Sequence, residues 1–589
     1  MKTLQLTNIK LKNIVPDFYL SEDALIFPEC KSLKNKILVT SFLNDNKLIT
    51  EFKKEVNENY NLILPVLVDY LNHIHNENYN NIYWERVVGF WLQSIITNYL
   101  DKYKRLNLAF EKEPHIQTTS LSFSSFQIPL STREFLNAIR ENDFFHLQQY
   151  SVILKDFYIE FAEFIDELPY SINTDVKTNN KIKLSKSIKI KIREIFLSFI
   201  DKGYTSKITF YVSLFSKKDL FTFFWKSRFR YAPIFKDSTV KVKRDIDVNL
   251  RNQISDFSTK NNFADSILHN SVRYFFPIEL LEGYDIISQE TSKHLNKNIP
   301  LSIFTGIGFS WSSKFSIWAA KCADLGTVLY GMQHGGTYGE VQILGGEALE
   351  RKLTDHYITW GWNEDEKTVP LPASRLISRQ EKNTNKKTND ILWISTTDSR
   401  YNYFVGHIVF GNRFLQYFKH QQDLYSLIET KTQKKIKIRL YPNDFGWKLK
   451  ERWLDKFKKI NFADNKENFI LQSLKSKLVI VDHFGGTTFL ELISKNIPTI
   501  IIANPDLFIF RKDAKLAYKE LEEFGIVYTS NKEAAKKINE IIKNPVEWWN
   551  EEPRLAVLEK FKERYAKSSS NSTKVWFQFL NQTLINNNL

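Results

Sequence analysis

The sequence predicts an α/β protein in which a largely helical N-terminal region precedes two Rossmann-like domains built on parallel sheets. Three observations carry that prediction. Through most of the first half, apolar residues recur at three- and four-residue spacing, the period of a helix with one buried face. From about Ile299 the rhythm changes to short apolar runs separated by helical segments, the pattern of βα units on a mostly parallel sheet. A polar, charged stretch, RQEKNTNKKTND at Arg379 to Asp390, interrupts that rhythm before it restarts, as an interdomain linker does.

In residues 1–298, NENYNLILPVLVDYLNHIHN (Asn57 to Asn76) and YWERVVGFWLQSIITNYLDKYKRL (Tyr83 to Leu106) are expected to be amphipathic helices. Similar spacing recurs at Leu147 to Ile165 and Ser187 to Ile200, whereas ITFYVSLF at Ile208 is β-branched and aromatic, as a buried strand is. Residues 299–378 form the first Rossmann-like domain: PLSIFTG, a helix near Ser312 to Asp324, GTVLYGMQHGG and TDHYITWGW. After the linker at 379–390, residues 391–544 form the second, with strands ILWISTT, KIKIRLYP, KLVIVDHFG and PTIIIANP alternating with helices. Residues 545–589 read as helices that pack back across the domains. Two such domains across a linker resemble the glycosyltransferase B (GT-B) architecture, a likeness that implies residues 1–378 on an acceptor side and 391–544 on a nucleotide-sugar donor side. Open α/β sheets bind ligands outside the carboxyl ends of their strands, which directs attention to the loops after the apolar runs.

Composition narrows the function. The chain has 589 residues, 43% hydrophobic and 25% charged, an ordinary globular balance and too long for one core. Its two cysteines, Cys30 and Cys322, are far apart, which argues against a disulfide framework or a cysteine-based zinc site. No stretch reaches about 18 uninterrupted apolar residues and the start lacks a signal-peptide core, so a cytoplasmic location is expected. The formal charge of +15 suits nucleic acid, an anionic membrane surface or phosphorylated substrates alike. Basic excess falls at Lys177 to Arg193 and Lys226 to Arg244; both read first as solvated faces and second as a peripheral contact with the inner face of the cytoplasmic membrane. No nucleic-acid module is recognisable, so no nucleic-acid partner is expected. The chain has no phosphate-binding P-loop motif, the short Asp245-x-Asp247 is not taken as a metal site, and no metal or cofactor is expected.

Two loops hold the unusual residues. VIVDHFGGTTFLELISKNIPTIII (Val479 to Ile502) reads as strand, turn, helix, strand. Gly485 and Gly486 make the turn, and Thr487 and Thr488 open the helix. Unpaired amides and the positive helix end there suit a nucleotide phosphate, with Asp482 and His483 adding titratable groups; a merely capped helix is the alternative. GMQHGGTYGE (Gly331 to Glu340) carries four glycines around Gln333 and His334. Glycine lets another group approach the backbone, here read as a sugar, with Gln333, Gly335 and Gly336 as substrate contacts and His334 as general base. Glu340 or Glu347 is expected to act as that base or to orient it. Arg439 and Tyr441 at a strand end and Arg511 at a helix start complete the expected donor-binding set, the arginines as counter-charges to phosphate.

Five segments in order, YWERVVGFWLQSIITNYLDKYKR, YGMQHGGTYGE, DHYITWGW, IRLYPNDFGW and VDHFGGTTFLELISKNIPTI, give the chain its resemblance to a family of transferases from bacterial lipopolysaccharide and surface-polysaccharide gene clusters. That family is distantly similar to GT-B enzymes that transfer Kdo or sialic acid from a CMP-linked donor. Those enzymes carry a His-Pro pair on the CMP phosphate and a Ser-rich turn. Here Tyr441-Pro442 stands for the first, losing the imidazole, and Gly485 to Thr488 for the second, keeping hydroxyls. The resemblance implies a metal-independent glycosyltransferase of surface-polysaccharide or lipopolysaccharide biosynthesis. It would move a sugar, such as an ulosonic acid, from a nucleotide donor to a glycan or lipid-linked oligosaccharide acceptor. A polyol-phosphate transferase with a CDP-activated donor and a non-catalytic nucleotide- or glycan-binding scaffold are the alternatives.

Overall fold

The structure is a computed structural model that describes residues 2–12, 15–25, 27–28, 31–40, 42–166, 197–235, 240–376 and 388–586. Cys30, the basic segment 177–193 and residues 379–387 of the expected linker lie outside the described residues.

The N-terminal region is built around two long helices, Asn46–His75 and Asn81–Lys112. Asp45 and Asn80 cap their first turns through side-chain oxygens. The second is not the one-faced helix its apolar spacing predicts: Trp84 and Trp91 are fully buried on it, and so are Asn98, Asp101, Lys102 and Arg105. It is a central strut covered on most sides. Beside it lies a four-stranded parallel sheet, β1 (Lys2–Gln5), β2 (Phe18–Tyr19), β3 (Ile116–Leu121) and β4 (Ala162–Ile165), in the order β2-β1-β3-β4. The helical reading of this region does not anticipate that sheet, whose strands are short and carry Lys, Gln, Thr and Glu among their apolar residues.

The next sheet contains β5 (Ile208–Tyr211), β6 (Tyr231–Ile234), β7 (Ser302–Thr305), β8 (Val328–Met332), β9 (His356–Thr359) and β10 (Thr368–Pro370), ordered β10-β9-β8-β7-β5-β6 with parallel pairing throughout. β5 is the strand expected from ITFYVSLF, and its place beside β7 means that this sheet draws on chain ahead of residue 299. Residues 235–301, largely helical where described, therefore separate β6 from β7 of one sheet.

The second large sheet holds β11 (Ile391–Ile394), β12 (Ile436–Arg439), β13 (Asn461–Phe462), β14 (Leu478–Val481), β15 (Thr499–Ile502) and β16 (Val527–Tyr528), ordered β13-β12-β11-β14-β15-β16 and again parallel. Counted from β11, this is the doubly wound order 3-2-1-4-5-6. β11, β14 and β15 are buried along their whole length, as strands with helices on both faces must be. The sheet changes winding direction between β11 and β14, and there the crevice for a ligand opens.

Two C-terminal helices return the chain to the first α/β domain. Glu552–Tyr565 packs on the second domain through Phe561 and Tyr565. Ser572–Asn586 then lays Trp576 into the core under β5 and β7, where its indole N–H donates to Pro372 O at 2.7 Å. The molecule is thus an α/β protein with a GT-B-like pair of Rossmann-like domains behind a helical N-terminal region.

Candidate active site

The loops after β8 and β14, each at the carboxyl end of its sheet, meet face to face. Gly336 N–H donates to Thr487 Oγ1 at 2.8 Å. A Cβ on Gly336 would stand 2.2 Å from Gly485 O and 2.7 Å from Thr487 N, closer than such atoms can approach. Gly485 has φ +64°, a backbone conformation open mainly to glycine, and a Cβ there would press on Thr337. The glycines of GMQHGGTYGE do permit a close approach, but the group at Gly336 is the backbone of the other domain's glycine turn, where a sugar was expected.

The junction extends beyond that contact. Arg511 N–H donates to Glu340 O at 2.7 Å, Gln342 N–H donates to Ile509 O at 2.8 Å, and Val341 bridges antiparallel to Phe510. Two adjoining cavities flank the junction and share Thr337, Asp398 and Ile408 as wall.

The first cavity, about 370 Å³, is lined by Gly485, Gly486, Thr487, Thr488, His483 and Tyr441, together with Arg375 and Thr396. Gly486 is the N-cap of the helix Thr487–Ser494, whose first amides have no acceptor within the helix and carry its positive end. An anion is the natural occupant. His483 is 7% exposed; its Nδ1 lies 3.3 Å from Asp482 Oδ1, and its ring lies so close to Gly486 that a Cβ there would be 2.3 Å from Nε2. Arg375 bonds through Nε to Glu491.

The second cavity, about 350 Å³, has mostly apolar and aromatic walls, including Phe90, Trp311, Tyr403 and Phe404, and contains His334, Tyr338 and Glu350. His334 Nε2 lies 2.9 Å from Glu350 Oε1 and 2.6 Å from Tyr338 OH. Tyr357 OH donates to the other Glu350 oxygen at 2.8 Å. A carboxylate that takes the Nε2 proton holds the imidazole as the tautomer with its lone pair on Nδ1, the arrangement a general base requires. The side chain of His334 is 25% exposed while that of Glu350 is 6% exposed, so the imidazole faces the cleft from a buried anchor.

Several expected site residues are placed elsewhere. Gln333 is buried with its amide spent on the protein: Oε1 accepts from Trp360 N–H and Trp362 Nε1, each at 2.8 Å, and Nε2 donates to Gly335 O. Glu347 accepts from Gly339 N–H at 3.0 Å and pairs with Arg511 at 2.8 Å and Arg351 at 3.4 Å. It pins the loop and orients no base. Arg511, tied also to Glu364 at 2.6 Å and to Val341 O at 3.1 Å, is an interdomain clamp and lines neither cavity. Arg439 turns from the cleft toward Gln472 at 2.6 Å and Asp464 O at 3.0 Å. Asp482 sits beneath the turn, accepting from Trp393 Nε1 and Tyr417 OH, each at 2.6 Å, and from Gln421. Gln333, Glu347 and Asp482 are buried polar groups that the fold must satisfy.

Glu340 is also under the turn. It is fully buried, with Oε2 accepting from Tyr518 OH at 2.9 Å while Oε1 has no partner. Burial pushes its carboxyl from an ordinary 4.5 up to about 7. The folded state therefore keeps a proton that the unfolded chain loses above 4.5, so this group's stability contribution is full below that pH and is lost as pH rises to about 7. At roughly 1.4 kcal/mol per pH unit, the swing is on the order of 3 kcal/mol. Glu340→Gln is expected to be the more stable protein at pH 8 and to match the parent near pH 4.5 in thermal melts. An equal difference at both pH values would contradict the protonated, buried carboxyl.

The sequence reading missed Glu350, Tyr338, Arg375 and Asp398. Glu350 was accessible in principle, since it follows Glu347 by three residues on the helix Gly345–Leu353. Arg375 and Asp398 carry no local signal and enter the cleft only through the fold.

A family profile described as LIC12162 family transferase matches residues 18–580. The chain belongs to that transferase family. The match spans both α/β domains and the helical region, so the cleft falls wholly inside it. No curated protein matches the sequence. Among solved structures, the chain is similar to the S. aureus MnaA-UDP co-structure, at 11% identity over 64% of this chain and 96% of that one, TM-score 0.35. It is similar also to UDP-GlcNAc 2-epimerase from Neisseria meningitidis bound to UDP-GlcNAc, at 10% identity over 64% and 99%, TM-score 0.35. A third likeness is to a Thermobaculum terrenum O-GlcNAc transferase mutant, at 9% identity over 89% and 98%, TM-score 0.30.

Proposed function

We propose that this transferase is a glycosyltransferase of bacterial surface-polysaccharide or lipopolysaccharide assembly, passing a sugar from a nucleotide donor to a glycan acceptor. The observation that carries the reading is the pair of adjoining cavities with unlike linings. One offers a helix start and two threonines for a phosphate; the other offers an imidazole anchored by a carboxylate, and the two share Thr337, Asp398 and Ile408 as wall.

In this reading the donor's phosphate lies on the amides and hydroxyls of Gly486, Thr487 and Thr488, with His483, Tyr441 and Arg375 around it. Those groups stabilise the leaving nucleotide without a metal, as preorganised donors can. The acceptor hydroxyl lies in the second cavity and gives its proton to His334 Nδ1 as its oxygen bonds to the donor's anomeric carbon and the sugar–phosphate bond breaks. Glu350 holds the imidazolium that results. The hydroxyl-bearing turn fits a CMP-linked donor such as an ulosonic acid, and a cytoplasmic site of action supplies such donors.

Among the described residues no helix is long and apolar enough to cross a membrane. A peripheral contact is supported by Trp225 and Phe229, 59% and 50% exposed and 5.6 Å apart, in a stretch that also carries Lys226, Arg228 and Arg230. Exposed aromatics among basic residues suit the anionic headgroup layer.

A thermal-shift screen with CMP, CDP, UDP and GDP tests the donor half. A ligand held at 100 times its Kd adds about 2.7 kcal/mol to a site present only in the folded state. The cytidine nucleotides are expected to raise the melting temperature most. A preference for UDP or GDP would remove the CMP-linked donor, and no shift with any of the four would remove the phosphate site.

A further inference from the structure

One wall of the His334 cavity is the helix Thr132–Glu141, which contributes Arg133, Leu136, Asn137 and Arg140. The spacing i, i+3, i+4, i+7 is one face of a helix. Apolar residues at such positions would be ordinary core. Here a guanidinium stands at each end of the stripe, about 10 Å apart along the axis at 1.5 Å per residue.

Both guanidinium groups lie against aromatic rings. Arg133, itself exposed, lies 4.0 Å over Trp311, a residue 40% exposed at the cavity wall. Arg140 lies 5.0 Å from the Phe445 ring and 5.5 Å from that of Tyr403. A cation drawn to an aromatic ring by its quadrupole keeps N–H groups free to donate elsewhere. At Arg140 these groups are incompletely used, since Nε is buried and has no hydrogen-bond partner.

Of the two acidic residues lining the cavity, only Asp398 lies close enough to Arg140 to offset part of its charge. Glu350 serves His334, Tyr338 and Tyr357, and Asp398 accepts from Ser399 N–H at 2.7 Å. Asp398 is one carboxylate beside two cavity-lining guanidinium groups, and an anion in the cavity would meet both and complete a charge pairing that Asp398 supplies only in part.

We propose that the second cavity takes an anionic acceptor, a glycan bearing a carboxylate or a phosphate, whose charge is held by Arg140 and Arg133 while its reacting hydroxyl lies against His334. The proposal rests on the reading of this cavity as the acceptor site. It names the acceptor's chemical class, and it makes the two arginines binding residues with no part in the bond-forming step. The aromatic walls then take the sugar faces and the guanidinium forks select the charge.

Three probes test it by calorimetric titration into the full-length protein, alone and saturated with the nucleotide that gives the largest thermal shift: methyl glucoside, glucuronic acid and glucose 6-phosphate. At least one anion is expected to bind ten to a hundred times more tightly than the neutral glycoside, the span of a hydrogen bond to a charged group. The stronger of the two separates a carboxylate acceptor from a phosphate acceptor. Nucleotide saturation must leave that binding in place, because the phosphate site is then occupied. Arg133→Gln and Arg140→Gln are each expected to cut the preference at least tenfold with nucleotide binding unchanged, and Arg140→Lys to retain part of it. Arg133 is exposed, so its variant keeps the test valid if the Arg140 variant does not fold. Equal binding of the neutral probe, no binding of either anion, or a preference that survives Arg133→Gln would overturn the inference. Failure to bind any nucleotide would strike at the donor site instead.

Discussion

Gly336→Ala is expected to be among the most damaging single-methyl changes in the protein. The added carbon would stand 2.2 Å from Gly485 O, 2.7 Å from Gly486 C and 2.7 Å from Thr487 N. All three atoms are backbone, so relief requires the two loops to separate, which breaks the Gly336-to-Thr487 hydrogen bond and shifts the helix start proposed to hold the phosphate. Overpacking of this kind costs about 1–3 kcal/mol. The expected result is a lower melting temperature together with a loss of transfer of at least a hundredfold. Gly346→Ala is the matching control for stability: its Cβ would meet nothing nearer than 3.9 Å, and in the helix Gly345–Leu353 alanine is favoured by up to about 1 kcal/mol. Equal stability losses in both variants would refute the loop-to-loop contact.

The largest effect on catalysis is expected at His334. Removing a general base costs on the order of 10²–10⁴ in rate, so His334→Ala should lose transfer to that extent and still bind nucleotide, because the imidazole lies outside the phosphate end of the cleft. Glu350→Gln makes the sharper test. Its amide can donate to the imidazole and so favour the tautomer with the lone pair on Nε2, turning the available nitrogen away from the acceptor. A fall in kcat comparable with that of His334→Ala, with an unchanged melting temperature, is expected. Near-parental kcat in Glu350→Gln would reduce the His334–Glu350 contact, 2.9 Å long, to a structural hydrogen bond.

Much of the fold was legible because its signals are local. β11, β14 and β15 are uninterrupted apolar runs ending in glycine, polar or proline residues, and the turn at Gly485 and Gly486 sits between strand and helix as its sequence predicts. The strands of the N-terminal sheet were not legible, because two to six residues of mixed polarity give no countable period. Charge was the weakest guide to the site. Arg511 has the composition of a phosphate ligand, but its partner Glu347 lies 164 residues away, and nothing near it in sequence announces that pairing. Glu347 and Glu350 are three residues apart on one helix, about 60° around the axis, which is enough to send one carboxylate to the interdomain clamp and the other to His334. The glycine cluster was correctly read as a place of close approach, while the identity of the approaching group required the second domain in position.

The central claim is that one cleft binds a nucleotide at the Gly485–Thr488 turn and activates an acceptor at His334. Its most direct test is incubation of the purified protein with CMP-, CDP-, UDP- and GDP-linked sugars and an anionic glycan acceptor, with product mass and nucleotide affinity measured side by side in the parent and in His334→Ala. The account predicts an acceptor heavier by one sugar in the parent alone and the same nucleotide affinity in both proteins. Transfer by His334→Ala at the parental rate, or no nucleotide bound by either protein, would contradict it.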